Sequence, residues 1–513
     1  MFSKVSTCAL IGVDGYNLFV ETDLAGGLPN FHLVGLAAPS VKEARERVRA
    51  AIKNSGYIFP DGRITVNLAP ADLRKDGSGF DLAIAAGILA ATEQIPPESL
   101  HGRVFVGELS LDGEIREIPG IMAMAASMKH QAGENTLLEF IVPRGNAEEA
   151  SMVDSVEVKG AANLTELVTY LKGESSLPDC KMPINSILLD SRNGEEPDFK
   201  DVKGQLMAKR ALEVGAAGGH NIMLTGPPGT GKTMLARRIP SILPSMTLQE
   251  CLEVTKIHSV AGLLKKDKPL ITQRPFRTPH HSATVVGVLG GGRIPQPGEV
   301  SLSHLGVLFL DEFPEYSREV LEGLRQPLED GELTITRAEM TVLYPSRFML
   351  VASRNPCPCG YYQDPRRECR CSEAQIRRYR IRSSGPLMDR IDLHVEVPSM
   401  QYRELEVEKE GESSAVIRQR VEKARAIQRD RFGDSGINCN ASMSHRHIQE
   451  HCPLDRETRS LLRRAFDSLA LSMRAHDRII KVARTIADLD DEKIINTAHI
   501  AEAIQHRSLD RKF

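Results

Sequence analysis

Short, almost unbroken apolar runs punctuate the middle of this chain: Ile222-Met223-Leu224, Val307-Leu308-Phe309-Leu310 and Phe348-Met349-Leu350-Val351-Ala352. Runs of that length, closed by polar residues, read as strands buried on both faces. Their alternation with helical stretches predicts a parallel sheet within 200–400. Upstream the pattern changes. Arg63–Leu68 alternates like a half-buried strand, Asp81–Ala91 is apolar enough for a core helix, and Val41, Ala44, Val48 and Ile52 share one helical face. A capping box of Ser40 and Glu43 opens that helix, and Gly56 follows its end. Mixed strands and helices make 1–175 an α+β or α/β domain. Residues 176–199 carry little periodicity and turn-forming residues, so they read as a linker. From 401 to 513 the pattern is helical and charged, clearest over Asp455–Asp488, and no internal repeat is visible.

Composition narrows the classes. A chain of 513 residues has room for about three domains. Its net charge of −3 provides no global basic field, so any polyanion site must be local. The longest apolar run, around Leu82–Ala91, is too short to span a bilayer, which argues against a membrane role. The brief stretch Cys8–Val13 reads as a first strand and not as a signal peptide. Nine unevenly spread cysteines argue against a secreted disulfide scaffold, leaving a cytoplasmic protein with reduced thiols as the expectation.

The first buried strand leads directly into Gly226-Pro227-Pro228-Gly229-Thr230-Gly231-Lys232-Thr233, and Met234–Ile239 reads as the start of a helix. Strand, glycine-rich loop and helix together are the context a phosphate-binding P-loop needs. The glycines let backbone N–H groups turn toward phosphate oxygens, and the helix N-terminus favours the anion. Lys232 is expected to reach the β and γ phosphates, and Thr233 to hold Mg2+. Hydrolysis needs more: a metal-holding acid and a group that orients water. Asp311 and Glu312 emerge from the end of the Val307–Leu310 strand, Asp311 for the Mg2+ shell and Glu312 to polarise water. Asn355 follows the next strand, where its amide is placed to orient the same water; alone before Pro356 it would read as a turn former.

These features resemble an AAA+ ATPase. More narrowly, Arg274-Pro275-Phe276-Arg277-Thr278-Pro279-His280-His281-Ser282, Gly290-Gly291-Gly292, Pro297-Gly298-Glu299 and Asn355-Pro356-Cys357-Pro358-Cys359-Gly360 resemble the magnesium-chelatase-like branch, most closely its bacterial ComM/YifB group, essentially end to end. The resemblance implies an AAA+ P-loop core over 200–400 and a helical lid of magnesium-chelatase type over 401–513. It implies that Arg390 acts as an arginine finger on a neighbour's ATP and that Arg474 is the lid arginine (sensor 2) contacting the γ-phosphate. A surface ion pair with Asp389 or Asp392 is the alternative for Arg390. Arg478 and Arg484 share the helical stretch of Arg474. A finger acting between subunits implies a homo-oligomeric ring, a hexamer by resemblance. The implied activity is a DNA-translocating helicase that drives branch migration during integration of DNA in natural transformation or recombination, alongside other recombination or DNA-uptake proteins. A metal-insertion subunit of chelatase type and a protein-remodelling adaptor are the competing readings.

Cys357-x-Cys359 and Cys369-x-Cys371 place four thiols within fifteen positions, close enough to converge on one ion. Structural Zn2+, four reduced thiols and an iron–sulfur cluster all remain open. Residues 354–382 hold eight arginines (354, 366, 367, 370, 377, 378, 380 and 382) with Tyr361, Tyr362 and Tyr379 interleaved, a composition suited to single-stranded or branched DNA. A solvated basic face or a subunit contact fits the same residues. Gly290–Arg293 and a hairpin over Leu333–Tyr344, with Arg337 near its turn, are further pore-lining candidates.

In the N-terminal region, Lys75-Asp76-Gly77-Ser78-Gly79-Phe80-Asp81, Gly107-Glu108-Leu109 and Gly113-Glu114-Ile115 resemble the Lon protease catalytic domain, a ribosomal-S5-like fold. That family works through a Ser–Lys dyad. Here Gly79 or Ser78 falls near the nucleophile position and Met122 occupies the lysine position. The expectation is therefore an S5/Lon-like α+β domain without an intact dyad, binding DNA, a partner or its ring neighbours and not cutting peptides.

Overall fold

The computed structural model describes the chain except residues 37, 39–40, 42, 72, 74, 76, 129–137, 155, 181–196, 266–267, 338–339, 383–386, 401–410, 434, 470 and 508–513. Two compact units emerge. The first comprises Met1–Arg192 with Leu248–Thr272, the second Asn193–Thr247 with Gln273–Phe513.

The first unit is built on a seven-stranded mixed sheet. Its strands are β1 (Phe2–Ile11), β2 (Asp14–Ala25), β3 (Asn30–Val34), β4 (Arg63–Ala69), β5 (Arg103–Phe105), β6 (Leu138–Pro143) and β7 (Val156–Ala161), in the order β3-β4-β2-β1-β5-β6-β7. β1 and β2 form a long antiparallel hairpin from Phe2↔Asp23 to Ile11↔Asp14. β4 alternates buried and partly exposed positions as its sequence requires. The helix Asp81–Ala91 is buried on every side. It can lie that close to the sheet because Gly87 has no Cβ; one there would sit 2.7 Å from Thr22 Oγ1. The helix Ala44–Asn54 buries Ala44, Val48, Ala51 and Ile52, and Glu43 occupies its N-cap. Ser40, the expected capping residue, lies outside the described residues, as does Asp76. Met122 is buried in the helix Ile121–Met128, and the Ser78 hydroxyl donates to Glu108.

One boundary differs from expectation. The helix Leu248–Val260, inside the 200–400 span, packs with the first unit. Its Ser259 hydroxyl donates to Glu149, and Lys256 Nζ pairs with Asp14 at 2.8 Å. Ile271 N donates to Thr255 Oγ1 at 3.0 Å, closing the excursion on itself. Of the expected linker 176–199, residues 181–196 lie outside the described residues. Leu177 is buried in the core of the first unit and Phe199 in that of the second, so the two ends are anchored.

The second unit carries a five-stranded sheet, parallel throughout: β8 (Ile222–Thr225), β9 (Phe276–Arg277), β10 (Val307–Leu310), then, after the hairpin β11 (Glu332–Arg337) and β12 (Met340–Pro345), β13 (Met349–Arg354) and β14 (Leu393–Glu396). Their order is β9-β10-β13-β8-β14. Ile222, Leu224, Phe309, Val351 and Leu393 bury completely in one core, each contributing about 1.5–3 kcal/mol on burial. The hairpin has the expected register, Leu333↔Tyr344, and Arg337↔Met340 flank its turn. The helix after the P-loop is shorter than its apolar spacing suggested. It spans Lys232–Ala236 and gives way to a 3-10 turn at Ile239–Ile242, because Pro240 has no N–H to continue the ladder. Beyond the sheet come the helices Ser414–Phe432, His445–His451, Arg456–Leu469, Met473–Leu489 and Thr497–Gln505. Among the described residues no helix is long and apolar enough to cross a membrane.

Candidate nucleotide-hydrolysis site

β8 and β13 end level, Thr225 opposite Arg354, and β10 stops two residues short of them, Leu310 opposite Ala352. Every loop leaving their carboxyl ends therefore meets in one crevice, where the chain order of an open parallel sheet reverses. The P-loop, Asp311-Glu312 and Asn355 are those loops. Gly229 and Gly231 take positive φ values of 76° and 88°, turning the backbone around the loop. Gly226 presses against the Val397 carbonyl, where no side chain would fit.

The side chains the sequence singled out come together here. Lys232 is buried; its Nζ donates to the Gly226 and Pro227 carbonyls at 2.8 Å each and to Asn355 Oδ1 at 3.2 Å. Burial pushes its ammonium down to about 8, against the upward pull of the Asp311 and Glu312 carboxylates. Thr233 Oγ1 donates to Asp311 Oδ2 at 2.8 Å. A hydroxyl and a carboxylate side by side are hard oxygen donors of the kind Mg2+ takes, so the residues fit the ion that a nucleotide brings. Glu312 stands in the left-handed region at φ 52° and is 57% exposed toward the crevice edge.

Two further residues belong to this site although the sequence reading gave them no role. Ser353 donates to Asp311 Oδ1, fixing the carboxylate from the side opposite Thr233. His281 Nδ1 lies 3.4 Å from Glu312 Oε2. His281 lies within Arg274–Ser282, but its partner is 31 positions away and no local spacing announces the pair.

The two C-terminal arginines are elsewhere. Arg390 sits three residues before β14, whose Leu393 pairs with Ile222, so it lies at the amino edge of the sheet, opposite the P-loop. Its guanidinium binds Glu329 and is only 8% exposed. Neither Asp389 nor Asp392 is its partner; Asp392 binds Arg478 and, at 3.3 Å, His220. Arg474 reaches the same Glu329 at 4.0 Å and is 61% exposed. Both arginines thus share one face, remote from this chain's own P-loop. Arg478 is taken up by Asp392, and Arg484 is buried against Asp488 and the Glu492 and Lys493 carbonyls. That leaves Arg474 as the exposed arginine among the three considered.

The four cysteines converge. Cys357 Sγ is 3.4 Å from Cys359 Sγ and 3.7 Å from Cys369 Sγ, Cys359 and Cys369 are 3.6 Å apart, and Cys371 Sγ accepts from Cys359 N at 3.4 Å. All four sulfurs lie within 4.8 Å of one another, and none is in a disulfide. The neighbouring basic segment is less open than its composition suggested. Arg354 is buried and donates to Thr225, Tyr379 is buried, and the rings of Tyr361 and Tyr362 are covered by Arg367 at 5.1 Å and Arg380 at 4.8 Å. Arg366, Arg367, Arg370, Arg377, Arg378 and Arg382 stay exposed, so phosphate contact remains available where base stacking is largely pre-empted.

Known proteins are similar in sequence to nearly the whole chain. The family model for magnesium chelatase, subunit ChlI, matches residues 198–405, a second for subunit ChlI of Mg-chelatase matches 20–146, and the ChlI C-terminal model matches 411–507. The chain is 44% identical to competence protein ComM of Haemophilus influenzae over 507 residues, 98% of this chain and 97% of that protein. It is 43% identical to the protein YifB of Escherichia coli over 510 residues, 99% of this chain and 97% of that one. Similarity to the magnesium-chelatase 38 kDa subunit of Cereibacter sphaeroides is lower, 25% over 230 residues, 41% of this chain and 61% of that protein. Sheet, crevice and end-to-end similarity agree, and the chain belongs to the ComM/YifB-like group of the magnesium-chelatase-type AAA+ family.

Proposed function

We propose that this protein is a ring-forming ATPase that moves on DNA and promotes branch migration when incoming or recombining strands are integrated. The observation that carries the ATPase part is the Lys232, Thr233, Asp311, Ser353 and Asn355 cluster at the carboxyl edge of the sheet. Thr233 and Asp311 would hold Mg2+, which supplies charge neutralisation to the phosphates. Backbone N–H groups of Gly229, Thr230 and Gly231 and the Lys232 ammonium bind the triphosphate. Glu312 takes the proton of the attacking water, and Asn355 orients that water. Arg390 and Arg474, together on the face away from their own P-loop, supply positive charge to a neighbour's γ-phosphate, which makes a homo-oligomer, a hexameric ring, the working form. The cysteine cluster holds a structural Zn2+. The cytoplasm, where thiols stay reduced, is the compartment this chemistry suits.

The pH dependence follows from Lys232. Above about 8 its folded-state amine is largely neutral, and a bound polyphosphate draws the proton back. Nucleotide affinity is therefore expected to fall as pH rises from 7 to 9. Calorimetry in two buffers of different ionisation enthalpy should read net proton uptake above pH 8, and a flat profile with no uptake would contradict the assignment.

The DNA part rests on relatedness to ComM, on the exposed arginines of 366–382, and on the pairing of the two pore candidates. The Gly290–Gly291 turn packs on the β11–β12 hairpin so closely that a Cβ on Gly290 would lie 2.9 Å from Ile335 Cδ1, and one on Gly291 2.9 Å from Arg337 Nη2. Contact through arginine and phosphate predicts DNA affinity that falls steeply with salt, and an ATPase stimulated by forked or single-stranded DNA. Fluorescence anisotropy between 50 and 200 mM salt, with parallel turnover assays, checks both. Absence of both in the assembled, ATP-bound protein favours the metal-insertion reading that the chelatase similarity also supports.

A further inference from the structure

The cysteine cluster does not stand apart from the nucleotide crevice. Its first member, Cys357, is two residues beyond Asn355, whose side chain receives Lys232 Nζ. Gly360, inside the cluster, lies on the P-loop itself: a Cβ there would be 2.5 Å from Pro228 Cδ and 2.7 Å from Pro228 Cγ, and its φ of 84° already favours glycine. Asp364, before the second cysteine pair, accepts from Ser399 Oγ at 2.7 Å. Ser399 follows Val397, against whose carbonyl Gly226 is pressed. The P-loop is thus held between two segments, Gly360 over Pro228 and Val397 beside Gly226, and Asp364–Ser399 joins those segments to each other.

The loop that does this has no regular structure of its own. Residues 355–372 contain no helix or strand, and Cys357 is the one fully buried cysteine of the four. Asp364 holds the turn between the two cysteine pairs, accepting from Arg366 N at 2.7 Å and Arg367 N at 3.1 Å, and the four sulfurs meet at its base. Around a tetrahedral zinc with bonds of about 2.3 Å the sulfurs would stand about 3.8 Å apart. The observed separations of 3.4, 3.6 and 3.7 Å fall close to that edge.

Building on the zinc reading above, we propose that zinc at Cys357, Cys359, Cys369 and Cys371 braces the P-loop through Gly360 and Asn355, so that loss of the metal weakens nucleotide binding at a distance from the phosphates. The cysteines are positioning residues in this scheme. Cys369 and Cys371 are the informative ones to change, because they lie farthest along the chain from Asn355 and Gly360; stripping zinc from the wild type separates the metal's part from that of the direct bond from Cys359 N to Cys371 Sγ.

The test uses the full-length protein. Elemental analysis of the purified chain is expected to give one zinc per chain, and none in the Cys369→Ser/Cys371→Ser double variant. A fluorescent ATP analogue is expected to bind that variant about tenfold more weakly, or about 1.4 kcal/mol, with circular dichroism unchanged. Stripping zinc from the wild type should reproduce the loss, and adding zinc back should reverse it. Gly360→Ala, which keeps all four thiols, is expected to retain zinc and still bind the analogue more weakly. It decides the matter if the double variant does not fold. Wild-type protein without zinc would sink the zinc reading and the brace with it. Zinc at full occupancy, with unchanged analogue affinity after its removal or in Gly360→Ala, would overturn the brace alone.

Discussion

An Arg390→Ala protein is expected to bind ATP as the parent does and to turn it over about a thousandfold more slowly, the lower range for loss of an arginine finger. The geometry sets the direction of this prediction. Arg390 precedes β14, and the P-loop follows β8, so the full length of a four-residue strand separates them along the sheet. At about 3.3 Å per residue that is about 13 Å before either side chain is counted. Its own nucleotide is out of reach, and a neighbour's is the target left. Mixing provides the sharper experiment. Subunits carrying Arg390→Ala and subunits carrying Glu312→Gln should each be nearly inactive alone, yet recover turnover when co-assembled, because some interfaces then pair an intact Arg390 with an intact Glu312. Full turnover in Arg390→Ala, or mixtures as dead as their parents, would remove the shared-site scheme. Arg474→Ala should fall in the same class, since both arginines meet at Glu329.

Glu312→Gln should separate binding from chemistry within one chain. The substitution keeps the size of the side chain and removes its ability to accept a proton, so hydrolysis is expected to fall by about 10²–10⁴-fold while the nucleotide stays bound. Phosphate release and analogue binding, measured on the same preparation, read the two effects independently. A hydrolysis rate equal to the parent's would transfer the base role to another group. The residue's backbone is consistent with a working position: a non-glycine residue at φ 52° is uncommon and is held by its surroundings. Here the Glu312 N–H donates to Asp311 Oδ1 at 3.1 Å, tying the two acids into one turn.

What the sequence disclosed and what it withheld differ in range. β8, the P-loop and the acidic pair were readable because each is contiguous and its chemistry lies in adjacent residues. The hairpin around Leu333–Tyr344 and the helix Asp81–Ala91 were readable for the same reason, through period and boundary residues. Ser353, His281 and Glu329 were not, since each acts on a group brought near only by the sheet, and serine, histidine and glutamate are ordinary at such positions. Tyr361 and Tyr362 misled in the opposite way. Their composition suggested open stacking faces, but Arg367 and Arg380 from the same segment cover them. The destination of Leu248–Val260 was equally hidden, because a helix whose buried residues run consecutively from Ile257 to Val260 shows no single face and does not state which core it joins.

That helix has a consequence for how the protein is made. The first unit needs residues 248–272, which leave the ribosome only after the entire P-loop has been synthesised. Its folding therefore cannot finish as the N-terminal segment emerges, in the usual domain-by-domain order. The newborn P-loop strand waits for its sheet partners β13 and β14 while the chain detours to complete an earlier fold. For the same reason a single protease cut within 181–196 would nick this protein without releasing its N-terminal piece, and an N-terminal fragment ending there would lack the helix whose Ser259 hydroxyl donates to Glu149.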